Sequence, residues 1–422
     1  MRRREMPDAS TWDWNPGKRE VQDVGSWSDK FEWVEEFHAS PDGEKVGAVV
    51  KTGEMEFTSC VNGEAWDEKF DRVFYSRFSP DGRLTGIAQS EGEWTLCVDG
   101  QNWPEMYGYI WDTKFGPDGS IICAVQQDME YGMGVDGVLW EKFYENANNF
   151  SVAPDGKNTA AAVQVASTPQ ADIDLFQKGL YSVAVNGEVW DNVFMNCYTP
   201  VFDAESKRVA CQVRRTLYDY TIAVDGKIWQ REFQCVWDPC FNPVTGVVAA
   251  PVRLGGAWTM AQDGEVAWGK TFAQCWHQQF SADGNNLWAI VAPSFGKFTV
   301  AKNGDAWSVV SPVVVDLAVS PDGNRAAALG KDGYDYSVIV DGNRWSGSFA
   351  MAWKPVFSPD SSHVAAKVEK NGSFTVVLDG KPYSEEFDQC FEPVFSPCSQ
   401  KVLIPAIKDG KFQRIVANVS DF

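Results

Sequence analysis

Short apolar runs alternate with polar punctuation along the chain at a near-constant interval. A turn of the type Ser-Pro-Asp-Gly recurs at 40–43, 79–82, 116–119, 153–156, 281–284 and 320–323, with weaker copies at 203–206, 242–246, 358–361 and 396–399. The second residues of these turns stand at 41, 80, 117, 154, 204, 243, 282, 321, 359 and 397, so eight of the nine gaps are 37 to 39 residues and one is 50. Self-similarity at such a period marks a repeat architecture and takes precedence over other readings.

Two further signals run in step with the first. Asn-Gly or Asp-Gly follows an apolar run at Asn62, Asp99, Asp136, Asn186, Asp225, Asp263, Asn303, Asp341 and Asp379. Both residues of these dipeptides tolerate positive φ, which a tight type I′ hairpin requires. A Trp follows each at 66, 103, 140, 190, 229, 268, 307 and 345, with Tyr383 in the ninth copy, and Trp27 is assigned to the same series on a strand at 24–31. Ahead of each hairpin stands a ring: Phe57, Trp94, Tyr131, Tyr181, Tyr220, Trp258, Phe298, Tyr336, Phe374 and Phe412. The residues between alternate in size with period two, the mark of a strand packed on both faces.

Each unit therefore predicts four short strands, placed in the eighth unit at 351–357, 325–329, 336–340 and 343–349. Four strands in about 39 residues make a propeller blade, and no blade buries both faces without its neighbours. The expected fold is all-β: a β-propeller of about ten four-stranded blades. An N-terminal arm spans 1–20, the propeller 21–422, and an insertion lies near 166–180. The last unit stops after its third strand, so the N-terminal segment around Trp27 is expected to complete it and remove a free edge. One closed ring is preferred over two five-bladed rings.

Length alone, at roughly 150 residues per domain, would suggest about three domains for 422 residues; the repeat overrides it. The 37 Lys and Arg against 58 Asp and Glu leave a net charge of −21. That balance argues against nucleic acid and anionic membrane surfaces, and it favours a basic protein partner. No apolar run reaches the ~18 residues of a membrane span, and the basic start of the chain lacks the apolar core of a secretory signal. An intracellular protein is the expectation.

The residues that invite a chemical reading mostly align with the repeat. Nine of the 19 Trp occupy one repeat position, and Trp111, Trp237, Trp276 and Trp353 fall in first strands, so packing accounts for them. Trp12 and Trp14 lie outside the repeat and could pack an arm or dock a partner. Of the ten Cys, Cys197, Cys235, Cys275 and Cys390 are assigned to one first-strand slot, while Cys60 and Cys97 precede the hairpin where Ala stands elsewhere. Small apolar slots of this kind suit reduced structural thiols. The three His, at 38, 277 and 363, form no metal pair, and no nucleophile elbow, phosphate loop, dinucleotide fingerprint or calcium loop is present. Neither a catalytic residue, a cofactor nor a metal is expected. The alternative is an enzyme or small-ligand binder using the central channel of a ring.

The 50-residue gap locates an insertion between the second and third strands of the fourth unit. Asp172, Asp174, Phe176 and Lys178 in that insertion are candidate partner-binding residues, because an exposed loop mixing apolar and charged groups can dock. Its alternative is a tolerated insertion whose apolar residues fold back. The corresponding loops of the first units carry Glu54, Glu56, Glu91 and Glu93, with Asp128 and Glu130 beyond them, an acidic set that could meet a basic partner.

The Ser-Pro-Asp-Gly turns between apolar strands resemble WD-like propellers of the TolB type over nearly the whole chain, although the Asp/Asn-Gly-x-x-Trp hairpin is more regular here. The tryptophan-rich, acidic chain of this length, without signal or cofactor motifs, also resembles the tryptophan-rich cytoplasmic subunits of Tmc-type transmembrane electron-transfer complexes of sulfate-reducing bacteria. That second resemblance implies a scaffold or docking subunit without a cofactor of its own. Its partners would be iron–sulfur and cytochrome subunits of a membrane redox complex. Its place would be cytoplasmic, held on the inner face of the membrane through those partners.

Overall fold

The computed structural model describes residues 9–167 and 172–422. The chain is an all-β propeller of ten blades, each a four-stranded antiparallel sheet. The second blade is representative: strands Arg72–Phe78, Leu84–Ser90, Glu93–Val98 and Gln101–Asn102 pair in chain order. Two compact units divide the contacts. One is Gly108–Val310 and holds the third to seventh blades; the other joins the residues up to Tyr107 to Ser311–Phe422 and holds the rest.

The second strand of each blade is the core element. Val46–Gly53, Ile121–Gln127, Val248–Leu254 and Ala326–Asp332 each begin with five consecutive buried residues. Burial on both sides of a sheet demands such a continuous apolar run. Alanines at 160 to 162, 249 to 250, 326 to 328 and 365 to 366 stand fully buried in these strands.

The Asn/Asp-Gly dipeptides form the expected turns. All nine Asx residues have φ between 45° and 51°, and glycines such as Gly63, Gly226 and Gly304 follow at 78° to 88°. Each Asx side chain also accepts the first backbone N–H of the second strand: Asn62 from Val46 at 2.9 Å, Asp225 from Val209 at 2.8 Å, Asp263 from Val248 at 3.0 Å. This second duty explains why Asn or Asp, rather than glycine, opens the turn.

In the Ser-Pro-Asp-Gly turns the Asp caps its own loop: Asp322 Oδ1 accepts Ser320 Oγ–H at 2.5 Å and the Asn324 N–H at 3.1 Å. The weaker copies have a reason. Ser206, Ser361 and Ser399 take the left-handed place of glycine at φ 61°, 66° and 62°. Their hydroxyls accept the Asp155, Asp322 and Asp360 N–H groups of the preceding blade at 3.0, 3.0 and 3.1 Å. A departure from the motif thus stitches one blade to the next.

Three sequence expectations are corrected. Residues 351–357 do not belong to the eighth blade: its first strand is Val313–Val319, hairpin-paired to Ala326–Asp332, while Met351–Ala352 and Val356–Phe357 open the ninth. Its fourth strand shrinks to Asn343–Arg344, followed by one bridge between Tyr336 and Phe349. The tenth blade is completed by the N-terminal segment, as expected, but through Gly17–Asp23, which pairs with Lys411–Asn418 from Gly17↔Val416 to Asp23↔Lys411. Trp27 lies beyond that strand, in the 3-10 turn Gly25–Asp29. A strand delivered from the other end of the chain needs no tight hairpin, so it pairs along the whole length of its neighbour. The third correction concerns Cys235. It pairs with Arg253, whereas Val236 fills the slot shared by Cys197, Cys275 and Cys390. A one-residue offset turns a strand side chain to the opposite face, and Cys235 is accordingly half-buried.

Arg414 locks the joint of the tenth blade. It is only 4% exposed, lies 3.0 Å from Glu44, and donates to the Asp42 carbonyl at 2.8 Å and the Asp13 carbonyl at 2.6 Å. Lys401 donates to the Trp14 carbonyl at 2.7 Å, and Trp12 stacks on Trp14 at 6.1 Å. The arm is therefore held on this blade by the Asp13 and Trp14 carbonyls, with the two indoles stacked on each other.

Candidate functional site

The hairpins joining second to third strands carry the exposed chemistry of the molecule. A type I′ turn wants glycine at its second position, and the chain supplies Gly92, Gly256, Gly372 and Gly410 there, at φ 70° to 89°. The third blade instead places Met129 there, and in the first blade, whose preceding turn residue Glu54 is not left-handed, Met55 takes the one left-handed position of the turn. Met55 has φ 58° and is 66% exposed, and Met129 has φ 67° and is 79% exposed. Each carries two costs at once, a left-handed backbone without glycine and an apolar side chain in water. Other tips present Tyr218, Phe295 at 93% exposure and Tyr334 at 94%.

The acidic residues lie at the same tips. Glu54, Glu56, Glu91 and Glu93 are all exposed, as are Asp128 and Glu130. The Glu91 N–H donates to Asp71 at 2.8 Å, which fixes that turn. Glu54 and Glu56 flank Met55, and Asp128 and Glu130 flank Met129, so those two tips combine an apolar point with negative charge, while Glu91 and Glu93 flank Gly92.

The insertion contains a short helix, Ile173–Lys178. Asp172 caps it by accepting the Leu175 N–H at 3.0 Å, and Asp174 and Lys178 fall in its first and last turns, the favourable ends for those charges. Asp172, Asp174 and Lys178 are exposed, Phe176 and Leu175 are half-buried, and Ile173 is 68% exposed. The insertion both folds back and leaves one apolar residue outside. Residues 168–171 of it, like residues 1–8 of the arm, lie outside the described residues.

A second feature links two series that the sequence kept apart. The first-strand rings meet the third-strand rings within one blade: Trp111 stands edge-on to Tyr131 at 6.1 Å, Trp237 stacks on Trp258 at 5.4 Å and 3°, and Trp276 and Trp353 lie tilted to Phe298 at 5.1 Å and Phe374 at 5.9 Å. One of these pairs, and the third-strand rings of two other blades, carry a cation of the chain itself. Lys367 stands 4.1 Å from the Trp353 ring centre, Lys331 is 4.7 Å from that of Tyr336, and Arg214 is 5.5 Å from that of Tyr220. Between the sixth and seventh blades Trp237, Gln274, Trp276, Phe295 and Phe298 line a cavity of about 390 Å³. Both partners of each pair were visible in the sequence; strand register, which joins them, was not.

All ten thiols are free. Burial pushes Cys60, Cys97, Cys123, Cys240 and Cys390 up to about 12, out of nucleophilic range. The exception is Cys398, exposed and lowered chiefly by a hydrogen bond with the Ser396 hydroxyl. Among the described residues no group of three or more His, Cys, Asp or Glu stands close enough to hold a metal. Among them, too, no helix is long and apolar enough to cross a membrane.

No protein-family model matches the chain, and no curated protein matches it. Among solved structures, it is similar to the β-propeller domain of Cps50 (Swd1) from Myceliophteria thermophila, at 11% identity and a TM-score of 0.32, over 64% of this chain and 95% of that one. The blade topology itself establishes the fold class: an all-β propeller.

Proposed function

We propose that this chain is a non-catalytic docking subunit that presents the tips of its second-to-third-strand hairpins to a protein partner. One observation carries the reading: Met55 and Met129 occupy left-handed positions, strained in backbone and exposed in side chain. Folding alone gives no return for that double cost. Burial against a partner does, because flexible methionines and rigid rings are the side chains that interfaces favour. The exposed Tyr218, Phe295 and Tyr334 repeat the same chemistry at three further tips. β-Propellers commonly serve as protein-interaction scaffolds.

The partner is a protein with a basic surface, since Glu54, Glu56, Glu91, Glu93 and the net charge of −21 steer such a surface to the tips. Asp172, Asp174, Phe176 and Lys178 of the insertion form a further contact. The resemblance in tryptophan content, length and charge to the cytoplasmic subunits of Tmc-type complexes supports a membrane-associated electron-transfer assembly as the setting. Iron–sulfur and cytochrome subunits are then the partners, and attachment to the inner face of the membrane runs through them.

The test is affinity purification of the tagged chain from its native host in mild detergent, with mass spectrometry and a visible spectrum of the eluate. Stoichiometric recovery of haem and iron–sulfur subunits supports the reading. A stoichiometric partner without redox centres keeps the docking role and removes the electron-transfer setting. A solitary, colourless protein overturns both.

A further inference from the structure

The cavity between the sixth and seventh blades lies beside a place where the seventh blade departs from the repeat. Opposite the third-strand ring, the second strands carry Lys51, Gln89, Gln126, Gln164, Arg214, Arg253, Lys331, Glu369 and Ile407. In the seventh blade the first-strand partner at this level is Gln274, and the second-strand residue is Ala292. Nine blades place a long side chain beside the ring; this one places a methyl group. Ala292 itself is fully buried and does not line the open space, which is bounded by Gln274, Trp276 and Phe298, by Trp237 of the sixth blade, and by Phe295 at the tip.

The repeat itself shows what such a place accommodates. In the fifth and eighth blades the residue aligned with Ala292 is Arg214 or Lys331, and its charge lies over the ring of Tyr220 or Tyr336. In the ninth blade Lys367, one of the residues flanking the Trp353–Phe374 pair, serves both rings, at 4.1 and 5.4 Å. The residue aligned with Lys367 in the seventh blade is Ile290, opposite Val300, so neither second-strand position there supplies a cation. The lining holds four rings and one amide and no charged group. Ring faces attract cations through their quadrupole, and the chain is acidic by 21 charges.

We propose that this aromatic slot receives a lysine or arginine side chain from a basic segment of a protein partner, in place of the cation that neighbouring blades supply from their own second strands. The inference rests on the docking reading and names the chemistry of one contact within it. Phe295, 93% exposed on the hairpin beside the slot, folds over the incoming alkyl stem. The slot selects charge through the rings.

A fluorescently labelled lysine-rich peptide and the same peptide with its lysines acetylated, titrated against the purified full chain by fluorescence polarisation, test the proposal. Ala292→Lys restores the internal cation, Trp276→Ala removes a wall, and Val244→Lys adds the same charge at a distant exposed site. The expected result is binding of the lysine peptide, weakened roughly tenfold by acetylation, by A292K and by W276A, and unchanged by V244K. Equal binding of the acetylated peptide, no effect of A292K with the fold intact, or no binding to the wild-type chain overturns the slot. Native purification judges the docking role separately: a partner recovered undiminished with A292K removes the slot and leaves that role standing.

Discussion

The indole of Trp66 lies against the hairpin glycine of the following blade, so that a Cβ built on Gly100 would stand 3.3 Å from the ring. Trp140 meets Gly187, Trp190 meets Gly226, Trp229 meets Gly264, Trp268 meets Gly304 and Trp345 meets Gly380 in the same way. Trp27, despite its different backbone, brings its indole nitrogen to the corresponding Gly63. The repeated tryptophan is therefore an inter-blade wedge, and the Asx-Gly turn serves both as a hairpin and as the surface the wedge fits.

The wedge sets a stability prediction. Trp229 is 7% exposed, and its replacement by Ala leaves a cavity between blades. Trp229→Ala is expected to cost about 3–5 kcal/mol, seen as a lower denaturant midpoint in urea unfolding. A loss below about 1 kcal/mol, on the scale of ordinary surface substitutions, would show that the wedge is not what joins the blades.

The two duties of the hairpin Asx residue can be separated at Asp263. Asp263→Asn keeps both the positive φ and the oxygen that accepts the Val248 N–H, so stability stays close to wild type. Asp263→Gly keeps only the backbone conformation and leaves a buried N–H without its acceptor, at a cost of about 1 kcal/mol. Equal unfolding midpoints for the two variants would assign the residue's value to φ alone.

Thiol chemistry follows burial. With excess Ellman's reagent on the native protein, one thiol of the ten is expected to react quickly, and Cys398→Ser removes that phase. Half-buried Cys235 and Cys240 follow more slowly, and the seven buried thiols react only on unfolding, because burial keeps them out of reach. A fast phase that survives the substitution contradicts this assignment.

The Asp-bearing turns predict acid sensitivity of a definite sign. The Ser320 hydroxyl, and after it the Asn324 N–H, lower Asp322 from 3.8 to about 2, and Asp360 is lowered by Ser358 in the same manner. A carboxyl lowered on folding contributes stability that is full above its unfolded value and disappears as pH falls through the folded one. The stability contribution of Asp322 is therefore lost between about pH 4 and pH 2. Asp322→Asn, which cannot titrate, should flatten the decline of the urea midpoint in that window, and an unchanged slope would contradict the turn's role.

The blade count, the four-strand unit and the type I′ hairpins were legible because each rests on local chemistry repeated in nine or ten units, and the N-terminal completion because the last unit stops after its third strand. Assignment of 351–357 and Cys235 failed where a strand had to be given to a blade or a face, since period two makes one residue decisive. The motif departures at Ser206, Ser361 and Ser399 read as decay in sequence, yet their hydroxyls bond the neighbouring blade. The candidate site was legible only in its charged half. Glu54, Glu56, Glu91 and Glu93 stood out by type, whereas Met55, Met129 and Phe295 gained meaning only with turn position and exposure. Ala292 had no signal at all: a small residue in an apolar strand is unremarkable until register sets it beside nine longer counterparts.

Docking through the hairpin tips is tested most directly by one comparison. The tagged wild-type chain and a variant carrying Met55→Gly, Met129→Gly, Tyr218→Ser, Phe295→Ser and Tyr334→Ser are purified in parallel from the native host, and their circular dichroism spectra are compared. The account predicts identical spectra, a stoichiometric partner with the wild type, and loss of most of that partner with the variant. Equal recovery of the partner by both chains, or a wild-type chain recovered alone, would contradict it.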